Sequence, residues 1–163
     1  MTNRKVTAFI QTLLCAVGVL DAGTVYWAHR SGITLPCSSG GGCDLVNVSH
    51  WAFVYGVPVS LIGAIGYIVL LFASILRLTT DSEASAAKTN LFLLAASFLA
   101  TCYSWYLQYV ADVFIGAFCI YCRISAITMT LIFLTSLVTL LIGRRRSVPA
   151  AAAAGSPPVQ IDG

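Results

Sequence analysis

Charge is scarce in this sequence. Only 9% of its 163 residues are Asp, Glu, Lys or Arg, where a soluble domain carries about 25%. With 58% hydrophobic residues and a mean hydropathy of +0.88, the chain reads as a membrane protein. It also lacks an extended basic surface. The one cluster, Arg144 to Arg146, follows the last apolar run and reads as a membrane-edge anchor, so no nucleic-acid partner is expected. Motifs for haem, flavin or an iron–sulfur cluster are absent. No small-x-small cleavage site follows the first apolar run, which is therefore expected to stay as an anchor instead of leaving as a signal peptide. Only Asp21 and Arg123 interrupt the apolar runs, which gives no permeation path for a transporter.

Long apolar runs take the place of charge. Four are expected to span: about Val6–Tyr26, Tyr55–Leu76, Lys88–Asp112, and Val113 or Phe114 to Ile142. Each reaches the roughly 20 residues that cross a bilayer core. The expectation is an all-α integral membrane protein, a four-transmembrane-helix bundle occupying residues 1–146, with a flexible tail at 147–163. Arg4, Lys5, Arg77, Lys88 and the triple arginine fall on one side if the helices alternate, against His29 and Arg30 on the other. That bias places both termini in the cytoplasm. The loop at about 27–54 then faces outside, with a short turn around Asp112.

The six cysteines divide by position. Cys15 and Cys102 sit mid-span and read as small packing residues. Cys37 and Cys43 lie in the outside loop, within L-P-C-S-S-G-G-G-C-D-L-V, where three successive glycines permit movement. Cys119 and Cys122 lie in F-C-I-Y-C-R, about two turns into the fourth helix, with both thiols on one face. Topology thus gathers four cysteines at one membrane surface.

Three chemistries fit that gathering. Structural disulfides are one, since the outside compartment permits them. A four-thiolate zinc site is another, disfavoured by a loop spacer longer than the usual knuckle. The third is a thiol relay, in which a dithiol at a helix head is activated by the helix end and by Arg123. Electrons reaching a dithiol at the lipid boundary need a lipid-soluble acceptor, and a quinone in an apolar slot meets that need.

Three segments together, C-S-S-G-G-G-C-D-L-V-N-V-S, Y-G-V-P-V-S-L-I-G-A-I-G-Y and F-C-I-Y-C-R-I-S-A, resemble the vitamin K epoxide reductase family in its bacterial disulfide-forming branch. The likeness runs from about residue 8 to 142. It implies a four-helix bundle around a quinone (ubiquinone or menaquinone), with an active site toward the outside of a bacterial inner membrane. It implies that Cys37 and Cys43 shuttle electrons from a soluble periplasmic thioredoxin-fold oxidase. Cys119 would be reached by a loop cysteine, and Cys122 would react with quinone. Ser49 matches the family serine that supports this geometry, and His50–Tyr55 resembles a short element over the pocket. The expected quinone-contacting residues are Ser49, Trp51, Tyr55, Pro58, Arg123 and Cys122. The absence of a fused thioredoxin-like segment implies a separate partner.

The family's vertebrate members orient vitamin K with an asparagine and a tyrosine. The corresponding positions here, Val57 to Leu61 and Ala126, offer neither, which argues against the alternative of a vitamin K epoxide reductase. A non-enzymatic tetraspan protein with a structural disulfide or metal site is the alternative of a different class. The other four-helix disulfide-forming family has its cysteine pairs in the reverse order. Gly56, Gly63 and Gly66 are expected mainly to let helices approach, with close approach of a ligand as the alternative. Asp21 is read as hydrated near the interface or bonded to a pocket group, and Asn47-Val48-Ser49 as a fortuitous glycosylation pattern.

Overall fold

The computed structural model describes residues 3–37, 42–80 and 82–154, with side chains described between Lys5 and Gly143 of these. Four long helices, α1 (Asn3–Ser31), α3 (Val59–Thr79), α4 (Glu83–Val110) and α5 (Ile120–Ala154), are accompanied by a short α2 (Gly42–Val48). Lys5–Ser31, Val59–Thr79, Glu83–Ile115 and Ile120–Gly143 are long and apolar enough to cross a bilayer. The chain is a multi-pass membrane protein. Leu20, Phe72 and Leu91 point outward from the bundle, as apolar side chains do where the surrounding solvent is lipid.

α1 and α4 each pack against both α3 and α5, so the four helices close into a ring of antiparallel neighbours. The α1–α3 contact is close because Gly18 has no side chain; a Cβ there would overlap the Tyr67 ring. Tyr67 is buried and its hydroxyl donates to the Ser125 carbonyl of α5 at 2.9 Å. Cys15, Leu70, Leu93, Met129 and Ile132 fill the centre around it. The α3–α4 seam is the most loosely packed of the four.

A buried polar network fastens the end of the bundle where α1 begins. Arg77 donates to Gln11 Oε1 at 2.7 Å and to Thr7 Oγ1 at 3.3 Å. Gln11 Nε2 donates to Ser136 Oγ at 2.6 Å, and Asn90 Nδ2 to the Ser136 carbonyl at 3.1 Å. All four helices contribute. Arg77, expected as a basic flank, is thus an interior residue, 2% exposed.

Two boundaries differ from the sequence expectation. α4 runs into a π-helical turn, Ala111–Ile115, that Gly116 ends in the left-handed region at φ 67°. The fourth helix therefore starts at Ile120 instead of near Val113, because residues 116–119 form the connection. α5 in turn extends to Ala154, past the expected start of a tail at Ser147; residues 155–163 lie outside the described residues.

Candidate active site

Between α1 and α3 the chain folds back over the bundle end. Cys37 and Cys43 form a disulfide. Asp44, next in α2, accepts the Leu35 backbone N–H on Oδ1 at 3.2 Å, which ties α2 to the segment leaving α1. Ser49 follows α2 and donates its hydroxyl to the Val46 carbonyl at 2.7 Å. A 3₁₀ turn, His50–Ala52, then leads into a two-residue hairpin, β1 (Phe53–Val54) and β2 (Val57–Pro58), paired Phe53 to Pro58 and Val54 to Val57. Tyr55 and Gly56 both have positive φ, 50° and 81°, the signature of the mirror-image turn that suits a tight hairpin. Phe53 stacks edge-on against His29 of α1, and Trp51 packs against Phe114 in the π-helical turn. The expected element over the pocket is this turn and hairpin.

The second cysteine pair sits at the head of α5, closer to the helix end than the sequence suggested. Cys119 immediately precedes the helix, and its Sγ accepts the Cys122 backbone N–H at 3.3 Å. A side chain bonded to the N–H three residues on is the geometry of a helix N-cap. The two Sγ atoms are 2.7 Å apart, with the Cys122 thiol donating to Cys119; a disulfide would bring them to about 2.05 Å. Cys119 lies ahead of the fourth span, and its thiol is held below its ordinary value. The Cys122 hydrogen bond is the largest cause; burial opposes it, and the backbone N–H groups of Cys122 and Tyr121 add to it. Arg123 turns elsewhere: it pairs with Asp112 at 3.1 Å and lies over the Phe118 ring.

All four cysteines meet in one apolar cluster. Cys43 and Cys119 are both 0% exposed and share their surroundings with Val25, Ala28 and Leu35, while Cys37, Val46 and Cys122 pack around them. Cys37 is partly exposed. Neither pair is free-standing; the outer disulfide and the inner dithiol belong to the same cluster. Cys15 is buried in the helical core, and Cys102 is exposed on α4.

Cys122 also lines a cavity of about 550 Å³ that extends from the cysteine cluster between the helices. Its walls are mostly apolar, with Val25, Ile62, Val69, Leu70, Phe92, Leu99 and Met129 among them. α3 and α4, the partners of the loosest seam, supply much of this wall. Polar groups are few and include Asp21, Asn47, Ser49 and Ser125. Asn47 Nδ2 is buried without a hydrogen-bond partner, a donor whose desolvation costs about 1–3 kcal/mol if nothing accepts from it. Of the residues expected to contact quinone, Ser49, Trp51 and Cys122 line this cavity, whereas Tyr55, Pro58 and Arg123 do not. Tyr55 projects fully from the hairpin tip.

Several site residues escaped the sequence reading. Asn47 stands in the family-like segment C-S-S-G-G-G-C-D-L-V-N-V-S but has no pocket role in the sequence expectation, although its place one helical turn after Cys43 puts it on the same face of any helix there. Tyr67, which also lines the cavity, closes the family-like segment Y-G-V-P-V-S-L-I-G-A-I-G-Y without a role of its own in the sequence expectation. For Gly63 and Gly66 the structure favours the alternative of ligand approach over helix contact: a Cβ on Gly66 would meet nothing within 4 Å, and one on Gly63 would touch only Ala22 Cβ, at 3.9 Å. Both line the cavity, and their missing side chains enlarge it. Asp21 faces the same space. Among the described residues, no group of three or more His, Cys, Asp or Glu side chains is arranged to hold a metal ion.

An apolar slot with few polar groups and a thiol in its wall fits a flat, lipid-soluble compound. The family description "Vitamin K epoxide reductase family" matches residues 9–137, which include both cysteine pairs, the hairpin and most of the bundle. The chain belongs to the vitamin K epoxide reductase family.

Proposed function

We propose that the protein is a membrane thiol oxidase that passes electrons from a reduced thioredoxin-fold partner through Cys37–Cys43 and Cys119–Cys122 to a membrane quinone. The observation that carries this reading is the double position of Cys122, which lies in the cysteine cluster and in the wall of the apolar cavity. The cysteine end faces the outside of a bacterial plasma membrane in this proposal, since Lys5 and Lys88 lie at the opposite end.

The order of transfer follows from exposure. Cys37 is the reachable sulfur of the outer disulfide, and Cys43 is buried beside Cys119. A partner thiolate attacks Cys37, the Cys37–Cys43 bond breaks, and Cys43 leaves as a thiolate. The second partner thiol then releases Cys37 and closes the partner's disulfide. Cys43 next attacks Cys119 of the oxidised inner pair, forming Cys43–Cys119 and expelling Cys122. Attack by Cys37 on Cys43 re-forms the outer disulfide and expels Cys119. This last leaving group is the one bonded to the α5 N–H groups and to the Cys122 thiol; a leaving thiol of low pKa departs faster. The helix end therefore favours electrons moving inward.

Asn47, Ser49, Trp51 and Cys122 would hold the quinone ring, and Gly63 and Gly66 leave it space. Quinone, when bound, accepts the two electrons and two protons that the inner dithiol gives up on closing to a disulfide. The apolar wall excludes water from the thiols meanwhile.

The test is quinone reduction by detergent-purified protein supplied with a reduced thioredoxin-fold protein. Wild type should turn over, and serine at any one of the four cysteines should abolish partner-driven turnover. A small dithiol should still drive the Cys37→Ser and Cys43→Ser variants. An inactive wild type with intact fold would end the proposal.

A further inference from the structure

The first residue of α2 touches the backbone that carries the inner cysteine pair. A Cβ built on Gly42 would lie 2.5 Å from the Phe118 carbonyl oxygen, 3.2 Å from its nitrogen and 3.3 Å from its carbonyl carbon. These are main-chain atoms with no rotamer through which to yield, and they belong to the residue bonded to Cys119. Gly42 is in turn bonded to Cys43. The dipeptides Gly42-Cys43 and Phe118-Cys119 therefore lie against each other, and the two cysteines they carry share one buried cluster.

We infer that Gly42 is a positioning residue that sets the approach of Cys43 to Cys119, and hence the rate of thiol–disulfide exchange between the two pairs. Space is what the position requires. Tyr55, Gly32, Gly56 and Gly116 are the described residues with positive φ, so Gly42 does not owe its identity to a left-handed backbone. Within a helix alanine is favoured over glycine by about 1 kcal/mol, so Gly42→Ala does not weaken α2 through propensity. Its added methyl instead separates α2 from Phe118. The step affected is attack of the Cys43 thiolate on Cys119, in which the Cys43–Cys119 bond forms, the Cys119–Cys122 bond breaks and Cys122 departs as a thiolate. A displacement of about 1 Å can cost a reaction roughly a hundredfold.

This inference rests on the relay proposed above, and the experiment separates the two. In a Cys37→Ser/Cys122→Ser background, mild oxidation should trap a Cys43–Cys119 disulfide, measured over time by non-reducing mass spectrometry. Adding Gly42→Ala should slow trapping at least tenfold, and Gly42→Val further. In the otherwise native protein, Gly42→Ala should lower partner-driven quinone reduction at least tenfold more than reduction driven by a small dithiol acting on the inner pair. Trapping that is rapid in the parent and unchanged by Gly42→Ala overturns the inference alone. Equal loss of both quinone-reduction rates overturns it as well, by showing general damage. A parent that forms no Cys43–Cys119 bond overturns the relay and the inference together.

Discussion

Cys119 Sγ accepts the backbone N–H of Cys122 at 3.3 Å, so the first thiol of the inner pair caps the helix that carries the second. In that place a thiol replaces the serine, threonine or aspartate that usually caps a helix. The partial positive charge of the helix N-terminus then falls on Cys119 as it leaves.

A pH dependence follows. The Cys119 pKa is lowered, first by the Cys122 thiol and with help from backbone N–H groups, so its thiolate persists below the ordinary thiol range and is lost as pH falls through the lowered value. As pH is raised, thiolate absorbance of the reduced Cys37→Ser/Cys43→Ser/Cys15→Ala/Cys102→Ala protein should appear at lower pH than for an ordinary cysteine thiol. Cys122→Ala removes the largest cause and should move the midpoint upward. A midpoint unmoved by that change would contradict the assignment.

Asn47 supplies a second prediction, because the residue lines the cavity and its Nδ2 is buried without a partner. Asn47→Leu should weaken quinone binding by about two- to tenfold, the value of one net hydrogen bond. Quenching of tryptophan fluorescence by added quinone measures this without turnover. The rate of Cys43–Cys119 trapping should be unchanged.

Gly66 gives the steric counterpart. A side chain there enters open space on the cavity wall, so Gly66→Leu should fold with near-native thermal stability and lose most quinone affinity. A large loss of stability would mean instead that Gly66 serves helix contact.

The polar network at the far end predicts a stability effect without a catalytic one. Arg77→Leu removes the donor to buried Gln11 Oε1 and should cost about 1–3 kcal/mol, seen as a lower melting temperature in detergent. Thiol exchange at the other end should proceed at its normal rate in the protein that remains folded.

How much of this was legible in the sequence depended on the range of each interaction. Spans and their alternation were legible because hydropathy is a local signal, and alternation brought the cysteine pairs to one end. The start of α5 was not, since Val113, Phe114 and Ile115 continue the apolar run and only Gly116 marks the break. Arg123 looked like a partner for the thiols because it adjoins Cys122; in space Asp112 and Phe118 occupy it. The Gln11–Arg77 network joins residues far apart in the chain, and hydropathy scores each only as a polar interruption. Gly42 was indistinguishable from its neighbours in a glycine run, since what sets it apart is the backbone of Phe118 pressed against it.

The central claim is that Cys119 and Cys122 deliver electrons to a quinone in the adjoining cavity. The direct measurement is an anaerobic single turnover of Cys37→Ser/Cys43→Ser protein, reduced, freed of reductant and mixed with quinone. The account predicts one quinol formed per protein, with a Cys119–Cys122 disulfide appearing at the same rate by mass spectrometry. Quinone that binds while both thiols stay reduced would contradict it.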